Sequence, residues 1–196
     1  MVSPLQDAAD LLKRLAGDDE KEQQAAADAL VKKGSSARAA VAKAWDKAAA
    51  NKKSRFEDVL LRIDAGTDQS NVTVGPFTFQ VRECAWVQEI DKEGKAQLRL
   101  KVVFEGSTIG ESAVTVTLSK STFYTAKDKM TLLVVGAKGE AFSRKFDPMV
   151  PKMFEYGSLI PPRWPPGTRG VAVFEVEFCG KKYTLRSPIA PIEKKE

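Results

Sequence analysis

Residues 160–170, IPPRWPPGTRG, place four prolines, Trp164, Arg163 and Arg169 within eleven positions. Proline has no amide donor, so such a stretch cannot lie in a central strand. It must run extended along an edge or an end, with little conformational entropy left to lose on binding. An indole between two guanidinium groups on a stiff backbone has the chemistry of a protein-contact anchor. The same ring could instead plug the open end of the surrounding fold. Met149, Met153, Phe154 and Tyr156, just upstream, face the same choice between contact surface and core cap.

A second constellation is basic. Lys120, Lys127, Lys129, Lys138, Arg144, Lys145 and Lys152 fall within one region, with Phe123 and Tyr124 among them. Lysines interleaved with aromatic rings can track a nucleic-acid backbone and stack its bases. Charge supports the localisation: acidic and basic side chains balance over residues 1–70, which leaves the net +5 on the remainder. Asp128, Glu140 and Asp147 interrupt the run, and there is neither a ribonucleoprotein sheet motif nor a GxxG clamp, so a solvated basic surface is the competing reading.

Covalent and metal chemistry find little support. The chain has no histidine, which removes the commonest general base near neutral pH and the commonest metal ligand. There is no GxSxG, SxxK, phosphate-binding GxxxxGK[ST] or GxGxxG signature. Asp68, Asp91, Asp128 and Asp147 stand singly, unlike the converging carboxylates of a calcium loop. No cofactor and no metal is expected. Cys84 and Cys179 are read as reduced thiols, since a chain this long needs no covalent staple. The glycosylation triplet Asn71-Val72-Thr73 is given no weight, because a three-residue pattern arises by chance.

The elements that must carry these residues differ on either side of residue 66. Over 196 residues, 43% are hydrophobic, as in ordinary globular chains. Apolar runs such as Met130 to Val135 are far short of the roughly 20 residues that span a bilayer. The start MVSPLQDAADLLKRLAG lacks a basic leader and an uninterrupted apolar core. A soluble, cytoplasmic protein is expected, or an extracytoplasmic one if an engineered start has replaced a leader.

Residues 1–66 are rich in alanine, leucine and charge, a helical composition. Leu5, Ala8, Leu12 and Leu15 lie at helical spacing before Gly17. Asp19 with Glu22 makes a capping box ahead of Ala26, Ala29 and Leu30, and the helix stops at Lys32-Lys33-Gly34. Ser35 or Ser36 opens a third helix through Val41, Ala44, Trp45 and Ala48. Ser54 with Glu57 opens a fourth through Phe56, Val59, Leu60 and Ile63. The run Leu15-Ala16-Gly17-Asp18-Asp19, Ala25 to Leu30 and Gly34 resembles a HEAT-type repeat over about residues 5–50, without the proline that marks the family's helix bend. That resemblance implies a helical hairpin surface that binds protein. Four alanine-rich helices bury little apolar area each, so the unit should lean on another surface, with Trp45 and Phe56 marking the contact unless they fill the unit's own core.

Residues 71–196 alternate in the period of strands. Seven or eight are expected: Val72 to Val81, Arg82 to Ile90, Ala96 to Glu105, Ala113 to Ser119, Met130 to Val135, Ala141 to Phe146, Val171 to Cys179 and Tyr183 to Ser187. Short connections at Asp91 to Gly94, Gly136 to Gly139 and Gly180 to Lys182 suit hairpins. The whole resembles an immunoglobulin-like β-sandwich. The fold class is α+β, a helical unit followed by an antiparallel sandwich.

The function expected from these features is non-enzymatic: an interaction or assembly module, scaffold or adaptor, that bridges protein partners or self-associates through Trp164, Arg163, Arg169, Met153, Phe154, Tyr156, Trp45 and Phe56. The alternative is nucleic-acid backbone binding through the lysine face. A third class, a hydrolase or transferase, would require scattered carboxylates to converge in space.

Overall fold

The computed structural model describes residues 8–67, 69–90, 92–94, 96–133, 142–159 and 168–190. The chain divides into two compact units, Met1–Gly66 and Thr67–Glu196.

The first unit holds four helices, α1 (Ala8–Ala16), α2 (Glu20–Lys33), α3 (Ser35–Lys47) and α4 (Ala50–Ala65). Asp19 caps α2 as its spacing predicts, accepting hydrogen bonds from the amides of Lys21 and Glu22. Gly66, at φ 82°, ends α4 in a conformation that favours glycine. The expected start of α4 at Ser54 is corrected: Ala49 in extended conformation opens it and Ser54 lies inside. Alanine's high helix propensity lets the helix begin without a polar cap.

Leu11, Leu15, Leu30, Val41, Val59 and Leu60 form the buried stripe together with Trp45 and Phe56. Each such aliphatic side chain contributes about 1.5–3 kcal/mol on full burial. Polar ties complete the unit. Arg38 donates a two-pronged set of hydrogen bonds to Asp64, and the terminal carbonyls of α1 accept from distant donors, Ala16 from Lys52 and Gly17 from Arg55 and Gln23.

The second unit has nine strands among the described residues: β1 (Asn71–Val74), β2 (Phe77–Ile90), β3 (Ala96–Thr108), β4 (Val114–Thr125), β5 (Lys129–Leu133), β6 (Phe142–Phe146), β7 (Lys152–Leu159), β8 (Gly170–Phe178) and β9 (Lys181–Ile189). All strand pairs are antiparallel. One sheet runs β1-β2-β3-β7. In the other, β4 pairs with β8 on one edge and with β5 and β6 end to end on the other, and β9 pairs with β8. One core, drawn from the inner faces of both sheets, joins them as a sandwich. At its centre Phe79 stacks on Phe104 at 5.5 Å, and Phe104 meets Phe174 of the other sheet edge-on at 5.0 Å.

The expected strands need four corrections. The predicted strand Val72 to Val81 is broken by a turn at Gly75-Pro76, where Gly75 takes φ 55°. The predicted break after Val81 is instead a bulge inside one long strand: Phe77, Phe79 and Val81 face inward before it, Cys84 and Trp86 after it. A second bulge between Leu118 and Lys120 shifts the inward face of β4 from Val116 and Leu118 to Ser121 and Phe123, so the strand runs past its expected end. Finally, β7 is an additional strand in a stretch expected to be irregular.

One long side of the sandwich is closed by main-chain bonds between the sheets. Arg186 of β9 donates to the carbonyl of Gln69, and Ser70 accepts from Val81 of β2. Beyond β9, Ala190 donates to Cys84 and accepts from Trp86. The expected hairpin at Gly180 forms at Cys179-Gly180, both with positive φ, whereas that at Gly136 to Gly139 lies outside the described residues.

Both thiols are free, Cys84 buried and Cys179 exposed. Burial, with the charge of Glu83 adding to it, pushes the Cys84 thiol up to about 12. A thiol-specific disulfide reagent is therefore expected to modify one cysteine per native chain, Cys179, and the second only on unfolding. Because the folded value is raised, the neutral thiol's contribution is complete below the unfolded cysteine value of about 8.5 and is lost as pH rises towards about 12. Cys84→Ala should flatten that alkaline fall in stability, as read by urea titration at a series of pH values.

Candidate interaction site

The open side of the sandwich lies opposite the closed one. Among the described residues β7 pairs with β3 alone, so half of its amides and carbonyls point away from the sheet. The edge strand β6 belongs to the other sheet, yet its Phe142 ring lies 5.6 Å from Phe154 and 6.1 Å from Tyr156 of β7. Phe154 also stacks on Phe104 at 5.2 Å. These half-buried rings form an aromatic seam between the two edges.

Arg144 covers that seam. It alternates with Phe142 and Phe146, so it lies on the inner face of β6, with its guanidinium 4.2 Å from the Phe142 ring and 5.9 Å from Phe154. A cation over an aromatic face is worth about 0.5–1 kcal/mol at an exposed site, and an inward-pointing charge also discourages indiscriminate edge pairing.

At one end of the same side, apolar side chains stand in solvent. Met149 donates its amide to Thr108, Ile109 donates to Pro76, and Met153, the second residue of β7, pairs with Glu105. These bonds bring together Ile109, Met149, Val150 and Met153, exposed by 81%, 73%, 50% and 70%. Met149 takes φ 59°, a strained conformation for a long side chain. Charges border the group. Asp147 bonds Lys152 and faces Lys145 at 3.8 Å, and the Lys152 ammonium holds its carboxyl below the usual range. Arg82 likewise holds the carboxyl of Glu105 down through a hydrogen bond.

The partner-contact residues expected from the sequence are thus distributed unevenly. Met153 is exposed, Phe154 and Tyr156 line the seam, and Arg169 is exposed just before β8. Trp164 and Arg163 lie outside the described residues. Trp45 is buried with its indole nitrogen 3.2 Å from Glu57 and the Lys53 ammonium over its ring, and Phe56 is buried beside it in α4. Both fill the helical core, the second of the two expectations for them.

The lysine constellation does not converge. Lys127 and Lys129 sit at the turn from β4 to β5, whereas Arg144 and Lys145 pair with Val116 and Thr115 near the opposite end of β4. At about 3.3 Å per residue these groups lie roughly 30 Å apart. Lys120 between them is paired with Glu175 at 3.1 Å, and Lys138 lies outside the described residues. Phe123 is fully buried and so is not a stacking platform. Among the described residues no three cysteine or acidic side chains converge on a metal-sized site, and no helix is long and apolar enough to cross a membrane.

Two features went unread in the sequence. Trp86 donates from its indole to the carbonyl of Thr168, just before β8, at 3.0 Å. The seam was signalled by Phe142-x-Arg144-x-Phe146, a charge set within an apolar alternation, and was masked by counting Arg144 among the lysines.

No family model and no curated protein matches the chain. Among solved structures it is similar to an X-ray structure of a structural-genomics target at 12% identity and TM-score 0.39, covering 62% of this chain and 96% of that one. It is also similar to the putative ApaA protein of Bordetella pertussis at 12% identity and TM-score 0.37, covering 65% and 100%. A third similarity is to Pseudomonas fluorescens alkylpurine DNA glycosylase AlkC bound to DNA containing an abasic site analog, at 10% identity and TM-score 0.26, covering 93% and 51%. Scores at this level carry no functional argument.

Proposed function

We propose that the chain is a non-enzymatic protein-interaction module whose β unit receives an extended segment of a partner, or of a second copy, along β7. The observation that carries this reading is that β7, among the described residues, lies at the edge of its sheet and begins beside four exposed apolar side chains. An added strand would pair with the outward-pointing edge of β7, while Met153 and the end group supply apolar burial and specificity. Arg144 over the seam sets a cationic margin that selects among segments. In this reading the helical unit is a HEAT-like hairpin pair, supported by the packing of α1 on α2 and of α3 on α4, and the β unit is an immunoglobulin-like sandwich, supported by its two antiparallel sheets.

The test is capture of native partners by the full chain, with and without nuclease, alongside sedimentation to detect self-association. Met153→Glu adds a charge at an exposed position and should leave the circular dichroism unchanged while weakening capture or self-association at least about tenfold, about 1.4 kcal/mol. Undiminished association in that variant would remove the β7 site. Capture lost with nuclease and with rising salt would favour nucleic-acid binding instead.

A further inference from the structure

The helical unit carries a second surface, independent of β7. Between α1, α3 and α4 lies an open depression of about 380 Å³. Leu12, Ala16, Ala44, Ala48 and Phe56 form its floor. Most of these side chains are small, so another backbone can come close, and the unit's own core leaves Leu12, Ala16, Ala44 and Ala48 half-exposed. Lys13, Lys47 and Lys52 stand around it, and among the described residues no carboxylate lines it. The Lys52 ammonium is held by the carbonyl of Ala16 and lies 3.3 Å from Asp18. Lys13 and Lys47 are exposed, one on α1 and one at the end of α3, so they flank the floor from two helices.

We propose that this depression docks an amphipathic helix of a partner protein whose apolar stripe is bordered by aspartate or glutamate. The volume lies near the lower end of the usual range for binding cavities, and its open form suits a few side chains at i, i+3 or i+4, and i+7 rather than an enclosed small molecule. The charge pattern chooses the occupant: acidic borders meet Lys13 and Lys47, whereas basic borders meet like charge.

The test uses the full chain and a fluorescein-labelled helical peptide of about 18 residues, five turns, with leucines on one face and glutamates on the other. Saturable binding by anisotropy is expected, falling at least about tenfold in the Lys13→Glu/Lys47→Glu double variant and weakening with salt. A matched peptide carrying lysines in place of the glutamates should not bind. Ala44→Glu, which puts a charge on the floor, should abolish binding. If circular dichroism shows that this variant unfolds, the double variant decides, because its two substitutions are at exposed positions. Equal binding of the lysine peptide, or binding unchanged in the double variant, would overturn the proposal. So would failure of the peptide to bind while the chain co-sediments with phosphatidylglycerol vesicles and loses that ability in the double variant, which would assign the depression to an anionic lipid surface.

Discussion

Phe79→Ala is expected to lower the stability of the β unit by about 3–5 kcal/mol, a large part of the about 5–15 kcal/mol that holds an ordinary domain folded. The ring is fully buried and lies within 5.5–6.4 Å of Phe77, Phe104, Phe146, Phe154 and Phe178, aromatic residues from both sheets. Removing it leaves a cavity that rigid neighbours cannot close, so lost transfer energy and lost contacts add. Urea titration of the full chain, followed by near-ultraviolet circular dichroism, measures the effect. Phe79→Leu should retain most of the stability, because it conserves more of the volume. A loss below about 1 kcal/mol for the alanine variant would mean that the cluster repacks and that this ring is not the junction between the sheets.

Gly106→Ala should be nearly as damaging although it adds one methyl group, at about 3 kcal/mol, the upper end of the usual range for overpacking. A β-carbon at Gly106 would sit 2.4–2.8 Å from three atoms of the Phe146 ring. That ring is 1% exposed and is held by Phe77 at 5.6 Å and Phe79 at 5.8 Å, so it cannot swing aside without opening the core. Phe146→Leu combined with Gly106→Ala should recover part of the loss, and a double-mutant cycle measures the coupling. Strictly additive effects would place the strain elsewhere.

These two positions show why some of the fold was legible in the sequence and some was not. Alternation located most strands because each buries one face, and Asp19 and Gly66 located helix ends because their chemistry satisfies terminal groups locally. Gly106 stands just past an expected strand end, where a glycine reads as punctuation. Its purpose depends on Phe146, forty residues away, which no local pattern contains. The bulges near Arg82 and Ser119 misled for a related reason: each reverses the inward parity, so one strand looks like an ending. Of the interaction site, Met153, Phe154 and Tyr156 were marked by apolar character alone. Ile109 was missed because hydrogen bonding between distant segments, and not sequence, brings it beside Met149. The lysines appeared to be neighbours because they are close along the chain, yet a strand separates its ends by its full length.

The bonds along the closed side bear on how the β unit can be transplanted. Gln69, at its beginning, meets Arg186, and Ala190 follows only four residues after that arginine. The chain therefore enters and leaves the sandwich at nearly one place. A unit with that geometry can be spliced into a surface loop of an unrelated host without prying the host's loop apart, and its original ends can be fused while new ones are cut elsewhere. The sandwich is in this sense a portable cassette.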